Sequence, residues 1–136
     1  MKNKVVVDTN IYLSGTFWQG LPQKVLNSGR DKKIVLFATK DILDEIREKM
    51  VDKLNISAED AEIFIEDILT YTEVVKVRER AKIVEGDPDD DKFFDCALAC
   101  KADFIVSGDS DLLNVGEYRG IKILTARRFL EELELA

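Results

Sequence analysis

Two acidic residues that follow apolar runs are the first candidates for chemistry in this chain. Asp8 comes directly after the apolar run 5–7, and Asp109 follows the run 104–107 after one glycine. Both runs have the composition of buried strands, and ligand sites of open α/β sheets lie beyond the carboxyl ends of strands. A turn or a helix cap explains either Asp equally well when it is taken alone. Together they indicate an acidic site at one edge of a sheet.

A third candidate lies in residues 40–54, which have the period of an amphipathic helix. Its apolar stripe is centred between Ile42 and Met50, and Glu45 is the acid closest to the border of that stripe. The other acids of this helix point further towards solvent. We therefore expect Glu45 to lean over the edge of the sheet.

The densest acidic segment is 87–91, where four of five residues are Asp. Such crowding exceeds what a helix cap requires and usually needs a cation or a raised pKa. When the helical pattern of the residues that follow is extended backwards, Asp90 points over the apolar stripe and Asp91 lies at its flank. Asp95 faces away on the same pattern and is expected to be exposed to solvent.

Composition excludes several kinds of active site. The chain has no histidine, which removes Ser-His-Asp and Cys-His catalysis and His-ligated zinc. Cys96 and Cys100 lie one helical turn apart and are interpreted as core-filling residues rather than a disulfide. The net charge of −7 argues against a simple basic nucleic-acid binder, but not against a metal-dependent nuclease, because bound cations reverse the local sign of an acidic cluster.

Alternating strands and helices must position these acids. Apolar and β-branched runs predict strands at 5–7, 33–38, 73–77, 104–107 and 121–124. Helices are predicted at 21–28, 40–54, from a Ser57 cap to about 69, at 92–101, and after a Thr125 cap. Gly29 is expected to end the first of them. The alternation predicts an α/β fold of three α/β/α layers, with a mainly parallel central sheet of about five strands, in one domain spanning 1–136.

We expect a cytoplasmic protein without a membrane segment. No apolar run approaches the roughly 20 residues that a membrane helix needs. The first residues also lack the apolar region and cleavage site of a signal peptide.

Taken together, these segments resemble the PIN domain family, and most of all the VapC-like ribonucleases that are the toxins of bacterial and archaeal toxin–antitoxin systems. The matching segments are 5–11, 38–47, 87–94, 97–113 and 121–133. The first motif alone is weak, whereas the stretch from 87 to 113 is specific through its spacing to the others. The resemblance covers essentially the whole chain and implies a PIN-like α/β/α fold.

The resemblance also implies which acids bind metal. Asp8 is similar to the first metal-binding acid of the family, Glu45 to the second and Asp109 to the fourth. The third corresponds to Asp90 or to Asp91: alignment of the small helix residue that follows favours Asp90, while the spacing to Asp109 favours Asp91.

Three further residues are implied to support the site. Asp111 is a further acid, and Asn10 and Ser107 match polar positions near the metal in relatives. Four carboxylates without histidine suit Mg²⁺ or Mn²⁺, which prefer oxygen ligands. Lys40 and Lys92 are candidates for contacts with substrate phosphates.

The expected function is therefore a divalent-metal-dependent endoribonuclease that hydrolyses phosphodiester bonds in single-stranded RNA. By resemblance it would form a homodimer and be inhibited by a small antitoxin protein. A PIN nuclease of RNA maturation and a non-catalytic docking domain of the same fold remain alternatives. A haloacid-dehalogenase-type phosphatase is disfavoured because Asn10 stands where a second Asp is required. A response-regulator receiver is disfavoured because Asp8 lacks an adjacent acid.

Overall fold

The computed structural model describes residues 1–81 and 90–135, which form seven helices and six strands. In chain order these are β1 (Asn3–Val7), α1 (Thr9–Phe17), α2 (Leu21–Arg30), β2 (Ile34–Ala38), α3 (Lys40–Asp52), α4 (Ala58–Leu69), β3 (Thr72–Val74), α5 (Asp91–Cys100), β4 (Phe104–Val106), α6 (Ser110–Val115), β5 (Glu117–Tyr118), β6 (Ile121–Leu124) and α7 (Ala126–Glu132). Residues 87–89 of the acidic segment lie outside the described residues.

The sheet has the order β3-β2-β1-β4-β6-β5. All neighbouring pairs are parallel except β5 with β6, which is antiparallel. Val5, Val6 and Val7 are each 0% exposed. Because successive strand residues point to opposite faces, helices must cover both faces of the sheet. The predicted three-layer α/β/α fold with a mainly parallel sheet is confirmed, with a sixth strand added by the two-residue β5.

The register of β1 and β4 brings the two strand-end acids together. These strands are adjacent and parallel, with Val7 opposite Val106. The backbone N–H of Asp8 continues the ladder by donating to the carbonyl of Val106 at 3.0 Å. The segments that follow β1 and β4 therefore leave the sheet at the same edge, which is where the site is predicted.

Hydroxyl caps begin three of the helices, two of which, at Ser57 and Thr125, were predicted. The hydroxyl oxygens of Thr39, Ser57 and Thr125 accept hydrogen bonds from N–H groups in the first turns of α3, α4 and α7. Such bonds satisfy donors that have no partner within the helix. In α3 the buried residues are Ile42, Leu43, Ile46 and Met50. The predicted apolar stripe of this helix is thus largely confirmed.

Two predictions about helices are wrong. Gly29 does not end α2, which continues to Arg30. Instead, Gly29 allows close packing, because a Cβ there would lie 2.6 Å from Leu36 Cδ1. Asp95 is not exposed but 4% accessible, because the chain before the acidic segment crosses this face of α5. The backbone N–H of Ala81 donates to Asp95 Oδ1 at 2.6 Å, and Arg80 Nη1 donates to Oδ2 at 3.4 Å.

Other features agree with the composition of the chain. Cys96 and Cys100 are free and buried, as predicted. Helices α1 and α6 were not predicted, and the third strand is shorter than expected at Thr72–Val74. Within residues 1–81 and 90–135, none of the helices has the length and apolar content needed to cross a bilayer.

Candidate metal centre

Asp8 ends β1 and caps α1, which fixes both of its carboxylate oxygens. Oδ1 accepts the N–H of Ile11 at 2.9 Å, and Oδ2 accepts the hydroxyl of Ser107. The residue is 3% exposed. Burial raises the pKa of Asp8 above its ordinary value, although hydrogen bonds from Ser107 and from the Ile11 and Gly108 backbones lower it. Because burial disfavours the negative charge of Asp8, a nearby cation would stabilise its carboxylate form.

Ser107 connects the two strand-end acids. It is 0% exposed, and while its hydroxyl donates to Asp8, its Oγ accepts the N–H of Asp109 at 2.9 Å. Asp109 in turn caps α6, where its Oδ1 accepts the N–H of Asp111 at 2.9 Å. The hydroxyl therefore fixes the relative positions of Asp8 and Asp109.

The third acid at this edge comes from the start of α5. Asp90 precedes the helix and is 9% exposed. Within the described part of the chain, Asp90, Asp109 and Asp111 form a group in which one carboxylate oxygen from each residue lies within 4.8 Å of the other two. Asp91 begins α5 and is half-buried. Of the two alternatives left open by the sequence, the geometry favours Asp90.

These acids surround one cavity of about 290 Å³. Its walls include Asp8, Asn10, Glu45, Asp90 and Asp109. Asp91 is not among the described wall residues, and Asp111 adjoins the cavity through its contact with Asp109. Asn10 is exposed, and its Oδ1 accepts Lys49 Nζ at 3.4 Å.

Glu45 reaches the cavity from α3 and is held by two donors. Its Oε1 accepts the hydroxyl of Thr9, and its Oε2 accepts Lys92 Nζ at 2.6 Å. Burial alone would raise the pKa of Glu45, but the hydrogen bonds from Lys92 and Thr9 outweigh burial and hold the pKa below its ordinary value. Glu45 is therefore a carboxylate at neutral pH.

Sequence reasoning missed two features of this centre. Thr9 was not singled out, although a hydroxyl residue directly after a strand-end Asp is a usable signal. Lys92 was considered only for substrate phosphates, and its pairing with Glu45 could not be foreseen across 47 residues. Lys40, the other candidate for phosphate contacts, instead pairs with Asp44 at 2.8 Å.

The donor set fits a hard divalent cation. The side chains that converge here offer carboxylate, amide and hydroxyl oxygens, and the chain contains no histidine. Mg²⁺ and Mn²⁺ prefer such oxygen ligands. The approach of Asp90, Asp109 and Asp111 within 4.8 Å also places like charges together, which a cation would relieve. The arrangement can therefore hold Mg²⁺ or Mn²⁺ next to an open cavity.

Comparisons with known proteins match the chain to one family. A family model described as the PIN domain matches residues 4–111. None of the curated proteins searched matches the chain.

Three solved structures share the fold. PAE2754 from Pyrobaculum aerophilum is 14% identical over 100% of both chains, with a TM-score of 0.59. Mycobacterium tuberculosis VapC20, described as a toxin that cleaves the sarcin–ricin loop, is 16% identical over 87% of this chain and 98% of its own, with a TM-score of 0.59. The RRP44 PIN domain of T. brucei is 14% identical over 97% of this chain and 81% of its own, with a TM-score of 0.54.

Proposed function

The chain belongs to the PIN domain family, and from this premise we propose that it is a divalent-metal-dependent endoribonuclease acting on single-stranded RNA. One observation carries the proposal. Asp8, Glu45, Asp90 and Asp109 come from four separate segments and line the same cavity at the carboxyl edge of the sheet. A purely structural role would not require acids from distant segments to converge on an open cavity.

We assign cation binding to Asp8, Asp90 and Asp109, with Asp111 as a further ligand. When bound, Mg²⁺ or Mn²⁺ would neutralise charge on the phosphoryl oxygens and lower the pKa of a water molecule. Ser107 keeps Asp8 and Asp109 in place through its two hydrogen bonds. Glu45, which lines the same cavity, would orient the attacking water.

RNA is the proposed substrate for two reasons, which are the negative charge of the chain and the likeness of its fold to that of VapC20. The chain has a net charge of −7, so the cavity repels a phosphodiester until a cation compensates its acids. Binding of the polyanion therefore depends on the metal. Among proteins with this fold, VapC20 is described as a toxin that cleaves the sarcin–ricin loop.

The same likeness supports a role as a toxin. We propose that the protein acts as a homodimer and that a small antitoxin inhibits it. Co-expression with the protein encoded beside it would test this role. Loss of RNA cleavage in a co-purified complex is the expected result. An encoded neighbour that neither binds nor inhibits would favour a role in RNA maturation instead.

The nuclease proposal is tested with labelled single-stranded RNA, in the presence and absence of Mn²⁺ or Mg²⁺. Wild type is compared with Asp8→Asn and with Asp31→Asn, a matched control at an exposed position. We expect cleavage that requires metal, is lost in Asp8→Asn and persists in Asp31→Asn. Cleavage that survives in Asp8→Asn would reject this site. Metal binding without cleavage of any RNA tested would favour the docking-domain alternative.

A further inference from the structure

Lys92 makes the closest charged contact in the candidate centre. It lies in the first turn of α5, two residues after Asp90. Its ammonium donates to Glu45 Oε2 at 2.6 Å, and the two side chains are only 17% and 22% exposed. A partly buried pair is screened by water less than a surface pair. The contact therefore fixes the Glu45 side chain.

The other oxygen of Glu45 is also occupied. The hydroxyl of Thr9 donates to Oε1, so each oxygen of Glu45 accepts a hydrogen bond from a protein side chain. In the described part of the chain, neither Glu45 nor Asp8 belongs to the group formed by Asp90, Asp109 and Asp111, so this grouping does not separate the two. Glu45 differs from Asp8 because one of its donors, Lys92, is a cation, whereas both donors to Asp8 are neutral. Glu45 thus lines the same cavity but is oriented by neutral and cationic donors.

A second cavity explains why Lys92 stays in this position. It measures about 440 Å³, and both Glu45 and Lys92 form part of its wall. The wall also contains four further acids and one further cation, namely Asp41, Asp44, Glu48, Asp95 and Arg80. Arg80 pairs with Asp41 and Asp95, and Asp44 pairs with Lys40 and Arg47. Because acids outnumber cations in this wall, departure of the ammonium from Glu45 into solvent is disfavoured.

We propose that Lys92 is a positioning residue that holds Glu45 out of direct contact with the cation and keeps it directed at the attacking water. This inference rests on the proposed function. Without the ammonium, Glu45 would carry an uncompensated charge beside the cation and could turn to ligate it. The cation would then bind more tightly, while hydrolysis would lose its oriented carboxylate.

The first test is calorimetric titration of Mn²⁺ into the metal-free protein, without RNA. The variants are Lys92→Met, Glu45→Gln and the double substitution, each checked for folding by circular dichroism. We expect Lys92→Met to tighten Mn²⁺ binding by about tenfold more than removal of a lysine charge alone does, because the released Glu45 carboxylate adds a ligand to the cation. In the Glu45→Gln background the same substitution should have a much smaller effect, because the carboxylate it releases is absent.

Lys49→Met is the matched control, because Lys49 lines the first cavity and donates to Asn10, and it acts on Glu45 only through its charge. Its effect on Mn²⁺ affinity should be equal in the wild-type and Glu45→Gln backgrounds. If Lys92→Met also behaves additively, Lys92 contributes only net charge and the inference is overturned. If wild type binds no Mn²⁺, the proposed function itself fails, and the inference fails with it.

The second test separates positioning from substrate binding. We expect Lys92→Met to lower kcat with little change in KM for RNA, and Lys92→Arg to restore kcat because the arginine can still donate to Glu45. An increase in KM at unchanged kcat would show that Lys92 contacts substrate phosphate, which contradicts the inference.

Discussion

Replacing Asp95 should destabilise the protein in a graded way. Asp95 is 4% exposed in the middle of α5, and its Oδ1 accepts the N–H of Ala81, itself 7% exposed, at 2.6 Å. Asp95→Ala removes that acceptor and leaves a buried N–H group without a partner, which costs about 1–3 kcal/mol. Loss of a charge-assisted hydrogen bond adds to this cost, so we expect a total of about 3 kcal/mol.

Asp95→Asn should cost much less. The amide oxygen can still accept the N–H of Ala81, and only the charge facing Arg80 is lost. Arg80 is 67% exposed and 3.4 Å from Asp95, so this ion pair contributes at most about 1 kcal/mol. The Ala variant should therefore be clearly less stable than the Asn variant.

Urea unfolding of the metal-free protein measures both free energies. At roughly 2.1 cal/mol/K per residue, the Ala variant should also unfold about 10 °C below wild type. Asp52→Ala, at an exposed position, is the matched control. The stabilising role of the hydrogen bond from Ala81 is contradicted if Asp95→Ala is as stable as the control, or if Asp95→Asn is destabilised as much as Asp95→Ala.

Three further predictions concern charge, metal and packing. Burial raises the pKa of Asp8, so the folded state binds the Asp8 proton more tightly than the unfolded state does. Metal-free wild type should therefore lose stability as pH rises through that pKa, and Asp8→Asn should not. Thermal unfolding of both proteins between pH 4 and 7 measures the difference. Saturating Mn²⁺, at about 100 times its Kd, should stabilise wild type by about 2.7 kcal/mol, and thermal denaturation should show no such gain for Asp109→Asn. Gly29→Ala should cost about 1–3 kcal/mol in urea unfolding, because its Cβ would lie 2.6 Å from Leu36 Cδ1; unchanged stability would contradict this packing.

The sheet could be predicted because its central strands are buried on both faces. Such strands appear in the sequence as continuous apolar runs, and those at 5–7 and 104–107 led directly to Asp8 and Asp109. Glu45 was located because an acid at the border of an apolar stripe must lie where a helix meets its neighbours. Both signals come from residues that are close together in the sequence, so they could be recognised without a structure.

Features that depend on distant segments could not be predicted. A helical pattern placed Asp95 in solvent because it gives no information about the chain that crosses α5 at Ala81. Helix α1 lacks a one-sided apolar pattern, with Thr9, Ile11, Tyr12, Leu13 and Gly15 all buried. Strand β5 has two residues, too few for a period to appear.

The proposed function requires that the acids at the carboxyl edge of the sheet hold the cation that supports RNA cleavage. The most direct measurement compares Asp90→Asn with Asp91→Asn in Mn²⁺-dependent cleavage of labelled single-stranded RNA, with Mn²⁺ affinity measured in parallel. Asp90 lines the cavity with Asp8 and Asp109, so its replacement should abolish cleavage and weaken Mn²⁺ binding, whereas Asp91→Asn should retain both. Cleavage that persists in Asp90→Asn would contradict the account.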